Sequence, residues 1–336
     1  MARSGVAGLA RLVQTKWFWP LAALVLLLLY NLFWTPGFFS IEVKEGHLFG
    51  SLIDVLNRAV PVMLVSLGMT LVIATKGVDL SVGAVVSIAG AIAAWMVTTK
   101  TTDLSTVIAV TLVLAMLLGA WNGVLVSVFG VQPMVATLIL MVSGRGVAQL
   151  ITDSQTITFQ HRGLAFIGKG YFLGLPFSVT LLVVMLVVTA ALTRLTAMGL
   201  FIESVGDNET ASRFAGINVR AVKMFVYVFC GLCAGVAGLI LAGNIQAADP
   251  NNAGLNLELD AILAVVVGGT SMSGGRFYLI GSMLGALIIQ TLTTMLYARG
   301  LPAEHTLVVK AIAVLAVCLL QSPEFRAKVF GRRAVA

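Results

Sequence analysis

The side chains of this sequence that can do chemistry are few, and none is spaced for covalent work. His47, His161 and His305 stand apart from one another and from Cys230, Cys233 and Cys318, so no metal-ligand spacing appears. There is no G-x-x-x-x-G-K-[ST] phosphate loop, no H-E-x-x-H and no G-x-S-x-G, which argues against nucleotide hydrolysis or metalloprotease and esterase chemistry by this chain. Cys230-Gly-Leu-Cys233 is formally a C-x-x-C, but its apolar setting reads as packing rather than redox chemistry. What remains is hydrogen bonding and electrostatics in an apolar environment. Asn57, Asn122 and Gln290 lie within apolar runs, where uncharged polar groups either join helices or meet a passing solute. Arg145 lies well inside a run, where a centrally placed Arg costs about 2.5–3.5 kcal/mol, so it is expected to face the protein interior, with Gln149 one turn further on. Asp54 and Arg58, four residues apart, can pair on one helix face.

Two Gly-rich stretches carry the next set of candidates. Thr75-Lys76-Gly77-Val78-Asp79-Leu80-Ser81-Val82-Gly83 and Gly268-Gly269-Thr270-Ser271-Met272-Ser273-Gly274-Gly275-Arg276 each follow an apolar helix, one in each half of the chain. Non-helical backbone near a membrane survives where protein or water satisfies its polar groups, and paired breaks point to a transport path. Asp79, Ser81, Thr270 and Ser271 are then path candidates beside Asn57, Asn122, Arg145 and Gln149. The alternative is a pair of tight turns between spans.

The longest polar, mixed-charge segment runs from Glu203 to Tyr227. Asp207 or Asn208 can cap a short helix, and Gly216 can take the left-handed turn that ends it. Ala211, Phe214 and Ala215 fall on one face, with Glu209, Thr210 and Arg213 off it. Asn218 can cap the helix that follows. So short a helix is marginal alone and is expected to dock against something, which need not belong to this chain.

The elements that must position these residues are membrane helices. Of the 336 residues, 59% are hydrophobic and 10% charged, against about 25% charged in soluble domains. Ten apolar segments are expected: Trp17–Trp34, Leu52–Ala74, Leu80–Val97, Ser105–Phe129, Pro133–Ile151, Phe172–Leu195, Ala221–Gly243, a short Leu259–Gly269, Phe277–Tyr297 and Thr306–Leu320. The expectation is an all-α polytopic membrane protein with two helix breaks and a cytoplasmic helix in the segment 199–220. Residues 1–16 and 322–336 read as cytoplasmic tails around a membrane domain of residues 17–321. With both termini inside, thirteen of the 21 Lys and Arg fall on the cytoplasmic side and five outside, in accord with the positive-inside rule. The net charge of +7 therefore reads as loop bias, not as nucleic-acid binding. The apolar N-terminal stretch is too long for a cleavable signal and lacks a small-residue cleavage site. Small residues Gly231, Gly235, Gly238 and Ala242, and Gly281 with Gly285, form close-packing ridges.

Several ordered blocks carry a resemblance. G-M-T-L-V-I-A-T-K-G-V-D-L-S-V-G (Gly68–Gly83), L-D-A-I-L-A-V-V-V-G-G-T-S-M-S-G-G-R (Leu259–Arg276), W-N-G (Trp121–Gly123) and P-M-V-A-T-L (Pro133–Leu138) are similar to blocks of the ribose-type sugar ABC importer permeases. Gly206–Val219 resembles that family's ATPase-coupling segment. Leu48–Ala59, Ser143–Thr152 and Ala248–Leu255 look nearest to the galactofuranose-importing branch. The resemblance covers about Ser51 to Leu320. It departs at Lys76, where the family usually has Gly, and at Ser212, which replaces a small Ala. It implies a permease without its own ATPase site or cofactor, and a partner ATPase that binds ATP and Mg. It also implies a second permease subunit, a periplasmic sugar-binding protein and residence in the bacterial inner membrane. Gly206, Asn208, Ala211, Ser212, Phe214, Ala215 and Gly216 then become ATPase-coupling residues. An ion-driven secondary transporter, which would not need the capped cytoplasmic helix, and a non-transport scaffold subunit are the rival readings.

Overall fold

The structure, a computed structural model, describes residues 18–34, 38–44, 46–100 and 103–321. Both expected tails, and Trp17 with them, lie outside the described residues. The described chain is helical throughout its membrane-compatible length: α1 (Phe18–Trp34), α2 (Ser51–Ala74), α3 (Val82–Thr99), α4 (Leu104–Ser127), α5 (Pro133–Ile151), α6 (Arg162–Lys169), α7 (Phe177–Arg194), α8 (Met198–Asp207), α9 (Glu209–Phe214), α10 (Val219–Ile245), α11 (Leu257–Val267), α12 (Leu279–Ala298) and α13 (Ala303–Gln321). Seven of these, α2–α5, α7, α10 and α12, are long and apolar enough to cross a membrane, and α1 is a shorter apolar helix. The protein is a polytopic, all-α membrane protein. Strand is confined to short pairs: Glu42–Lys44 with His47–Phe49, Ile157–Thr158 with Ala247–Ala248, and Tyr171–Phe172 with Leu175–Pro176.

The bundle is organised around α10 and α2. α10 is 27 residues long, about 40 Å at 1.5 Å per residue, and packs against α4, α2 and α3. Its small residues allow this. A Cβ on Gly231 would strike the Ala115 carbonyl, and one on Gly238 would lie 2.6 Å from the Val86 carbonyl and 2.7 Å from Ala89 Cβ. Association in lipid rests on such close backbone approach, since the tails already satisfy apolar surface. α2 is buried on all sides from Ala59 to Ala74, the mark of a central helix. The most apolar windows of α4, α5 and α7 are only 22%, 28% and 28% buried, so these helices form the outward face.

Three details differ from the sequence expectation. The sixth span begins at Phe177, because Phe172 belongs to a strand pair. The stretch expected as a loop before it contains α6, capped where His161 accepts from the Leu164 N–H at 3.2 Å. Asp54 and Arg58 are both exposed, and no ion pair joins them among the described residues.

The short α11 has a structural reason. After α10 ends at Gln246 in a left-handed conformation, the chain turns back along α3 instead of remaining at the rim. Ser87 Oγ donates to the Pro250 carbonyl at 3.2 Å, and Gly254 lies against Gly83 in the first turn of α3. Arg145 donates to the carbonyls of Ala253 and Gly254 at 2.8 and 2.9 Å. Irregular backbone packed against the helices is tolerated because protein donors satisfy it. α11 follows with only 11 residues.

Candidate functional site: the helix-break junction and the exposed helix beside it

The two Gly-rich breaks, remote in sequence, meet. The Gly275 N–H donates to the Ala74 carbonyl at 2.9 Å, and Thr70 Oγ1 donates to Ser282 Oγ at 2.8 Å. The end of α8 wedges into the same place: a Cβ on Gly206 would collide with the Ala74 carbonyl and lie 2.5 Å from the Gly275 nitrogen. Lys76 Nζ donates to the Asp207 carbonyl at 2.9 Å. The first break, the second break and the helix leading into the polar segment therefore form one junction. Positive φ at Lys76 (60°), Gly274 (80°) and Gly275 (85°) makes the turns, a conformation that glycine adopts at no steric cost and Lys76 does not.

Within the first break, Asp79, Ser81 and Asn122 come together. Asp79 Oδ1 accepts from the Ser81 N–H at 3.0 Å, Ser81 Oγ at 2.6 Å and Asn122 Nδ2 at 3.3 Å. Asn122 Nδ2 also donates to Ser81 Oγ at 2.8 Å. All three polar residues are at most 1% exposed. The arrangement is a closed lock tying the start of α3 to α4 through Asp79, Ser81 and Asn122 Nδ2, while Asn122 Oδ1 is buried without a hydrogen-bond partner among the described residues.

The other path candidates have distinct surroundings. Asn57 Oδ1 accepts from Ser178 Oγ and joins α2 to α7. Gln149 Nε2 donates to Asn251 Oδ1 at 2.9 Å, so Gln149 and Arg145 together hold the returning loop to α5. Thr270 is buried and its Oγ1 accepts from the Tyr278 N–H at 3.1 Å, stapling the second break. Ser271 is exposed and lines a cleft of about 560 Å³ between α8 and the second break, with Glu203, Asp207 and Arg276 around it. Sequence reasoning paired Asp79 with Ser81 and Arg145 with Gln149, but it brought neither Asn122 to the first pair nor the loop carrying Asn251, Ala253 and Gly254 to the second. It also gave no role to two carboxylates of α11, Glu258, left outside by starting that segment at Leu259, and Asp260 within it. Glu258 is 2% exposed against Gly83, its Oε2 without a hydrogen-bond partner among the described residues. Asp260 pairs with Lys310 of α13 at 2.9 Å. The signal was the L-E-L-D alternation at the mouth of the apolar run.

α9 projects from the junction. Asn208 is its cap, its Oδ1 accepting from the Ala211 N–H at 3.0 Å, while Asp207 ends α8. Gly216, at φ +85°, terminates the turn, and Asn218 caps α10 through the Ala221 N–H at 3.1 Å. Glu209 accepts from Arg213 at 2.9 Å and from Lys223 at 2.6 Å. Hydrogen bonding by Lys223, with the charge of Arg213 added, holds the Glu209 carboxyl below the usual carboxylate range. Ser212 is buried against the body, and Ala211, Phe214 and Ala215 face outward, with Phe214 89% exposed. A polar, internally braced helix thus presents one uncovered aromatic ring.

Comparison with known proteins gives the context of this geometry. Residues 51–318 match the family described as branched-chain amino acid transport system / permease component. The galactofuranose transporter permease protein YtfT of Escherichia coli (strain K12) is 51% identical over 326 residues, covering 96% of this chain and 95% of that protein. The fructose import permease protein FruF of Bifidobacterium longum is 36% identical over 320 residues, 94% of this chain and 90% of that protein. The ribose import permease protein RbsC of Bacillus subtilis is 39% identical over 267 residues, 76% of this chain and 80% of that protein. No solved structure gives a significant match. With the family's match spanning the two breaks, their junction and the exposed helix, this chain belongs to the branched-chain amino acid transport system / permease component family.

Proposed function

We propose that the chain is the membrane-spanning permease subunit of an ATP-driven sugar importer. In this reading it forms, with a second permease subunit, the path of a monosaccharide handed over by a periplasmic binding protein, and galactofuranose is the substrate. The single observation that carries the ATP-driven reading is Phe214, an 89% exposed aromatic on a capped polar helix built into the junction of both breaks. An exposed aromatic of this kind is the usual anchor of a protein interface. The substrate reading rests on 51% identity to a galactofuranose permease over nearly the whole chain. The ATPase partner supplies nucleotide binding and hydrolysis, since this chain carries no phosphate loop. The excess of Lys and Arg on the side of α9 supports both termini in the cytoplasm and residence in the bacterial inner membrane.

For the path, the reading favours the polar groups that keep some exposure, Arg145 and Gln149 toward one end and Ser271 toward the other. A sugar carries hydroxyls and no charge, and such donors and acceptors suit it. The buried carboxylates Asp79 and Glu258 are the feature an ion-driven carrier would use instead. The test is purification from the native host followed by reconstitution. The expected result is co-purification of an ATPase and ATP-dependent uptake of labelled galactose, whose solutions contain the furanose ring, with no need for an ion gradient. Uptake driven by a proton or sodium gradient without ATP would establish the ion-driven alternative. Cysteine labelling should also place position 213 and position 251 on opposite sides of the membrane.

A further inference from the structure

Lys76 has the backbone of a glycine position and the side chain of a tether. Its φ of +60° lies in the left-handed region that disfavours any residue with a Cβ. Such an outlier persists where its surroundings over-determine it, and the inference runs from the outlier to a role. The Nζ donates to the Asp207 carbonyl at 2.9 Å across 131 residues of chain. Asp207 is the last residue of α8, so this carbonyl belongs to the set a helix end leaves without partners, and a cation there also meets the negative end of the helix dipole. Asn208 alone separates α8 from α9 and caps it. On its own side, Lys76 stands between Ala74, whose carbonyl holds Gly275, and Asp79, the centre of the lock that starts α3. Its stem passes against Gly274, where an added Cβ would lie 2.5 Å from Lys76 Cγ. One side chain thereby touches the first break, the second break and the root of α9.

We infer that Lys76 is a positioning residue for coupling: its ammonium, by holding the last carbonyl of α8, passes displacement of α9 to the first break. The inference rests on the reading of α9 as the surface on which the ATPase acts. Glycine at this position would relieve the backbone and lose the tether. Arg would keep it, and Met would keep the length without the charge.

The test uses the full complex of permease, ATPase and binding protein in proteoliposomes, with labelled galactose as probe. Three quantities are read: ATPase retained by the permease, ATP hydrolysed, and sugar taken up per ATP. Lys76→Met and Lys76→Gly should retain the ATPase and its basal hydrolysis while uptake per ATP falls at least about fivefold, the lower end of usual coupling factors. Lys76→Arg should restore it. A loss of packing alone would lower the yield of complex and leave uptake per ATP unchanged. Wild-type uptake per ATP in the Met and Gly variants overturns the inference, and so does loss of ATPase retention, which would make Lys76 a docking residue. If the unaltered permease retains no ATPase, it is the reading of α9 that fails.

Discussion

At the scale of single residues, Phe214 and Glu209 divide the labour of α9. Phe214 carries the largest exposed apolar area on the helix and touches little of its own chain, so removing it costs the fold almost nothing. Phe214→Asp should leave insertion and thermal stability unchanged while abolishing sugar-stimulated ATP hydrolysis in the reconstituted complex; normal stimulation would show that the ring is not an anchor. Glu209 does the opposite, bracing α9 to α10 through Lys223 and to itself through Arg213. Its carboxyl is lowered in the folded protein by hydrogen bonding to Lys223 first and by Arg213 second. A lowered folded pKa means the unfolded chain binds the proton more readily, so the contribution is present above the ordinary carboxylate pKa and is lost as pH falls through the folded value. The difference in melting temperature between the unaltered chain and Glu209→Gln should thus be visible at neutral pH and vanish in acid. The side chain is 41% exposed, so water and salt screen the pair and the difference is expected to be small. A gap that widened on acidification would contradict the assignment.

At the scale of elements, what could be read from the sequence was what length and local chemistry dictate. Ten apolar runs, the Asn208 and Asn218 caps and the Gly216 stop are all written within a few residues of one another. The meeting of Ala74 with Gly275, and of Lys76 with Asp207, is not, because a single sequence holds no record of which distant turns share a space. The returning loop after α10 was hidden for a different reason. Its polar A-D-P-N-N-A-G run looks like a surface loop, and it sits beside α3 because Arg145, Ser87 and Gln149 bond to it. This gives Arg145 a definite expectation. Arg145→Leu leaves the Ala253 carbonyl without its donor and the Gly254 carbonyl with only the Leu257 N–H at 3.3 Å, and an unpaired buried group costs about 1–3 kcal/mol, so the loop should leave α3. A cysteine at position 251 should then label faster, with the melting temperature lowered. Arg145→Lys, which can still reach one carbonyl, should fall between. Unchanged labelling in Arg145→Leu would mean that the loop is held by Gln149 and Ser87 alone.

At the scale of the whole molecule, the question is how a movement at α9 becomes an opening between helices. The junction joins α2, α8 and the second break by backbone contacts too close for any added atom at Gly206, while the Asp79 lock fixes the next turn of chain to α4. The stiff connections therefore run from the exposed helix toward both breaks, and the clefts lie beside them rather than through the lock. The two serines of the breaks then cease to be equivalent, although the sequence presents them alike. Ser81 is buried and shares its hydroxyl with Asp79 and Asn122, so Ser81→Leu must push a larger, apolar group into a filled polar site. Overpacking typically costs about 1–3 kcal/mol, and the lost hydrogen bonds add to it, so this variant should be poorly inserted or melt early. Ser271 faces the cleft and accepts only a local N–H, so Ser271→Leu should insert, fold and assemble normally. If a sugar leaves by this cleft, uptake by Ser271→Leu should fall strongly while ATP hydrolysis continues. Full uptake by a well-folded Ser271→Leu would move the exit away from the second break and toward the face carrying Arg145 and Gln149.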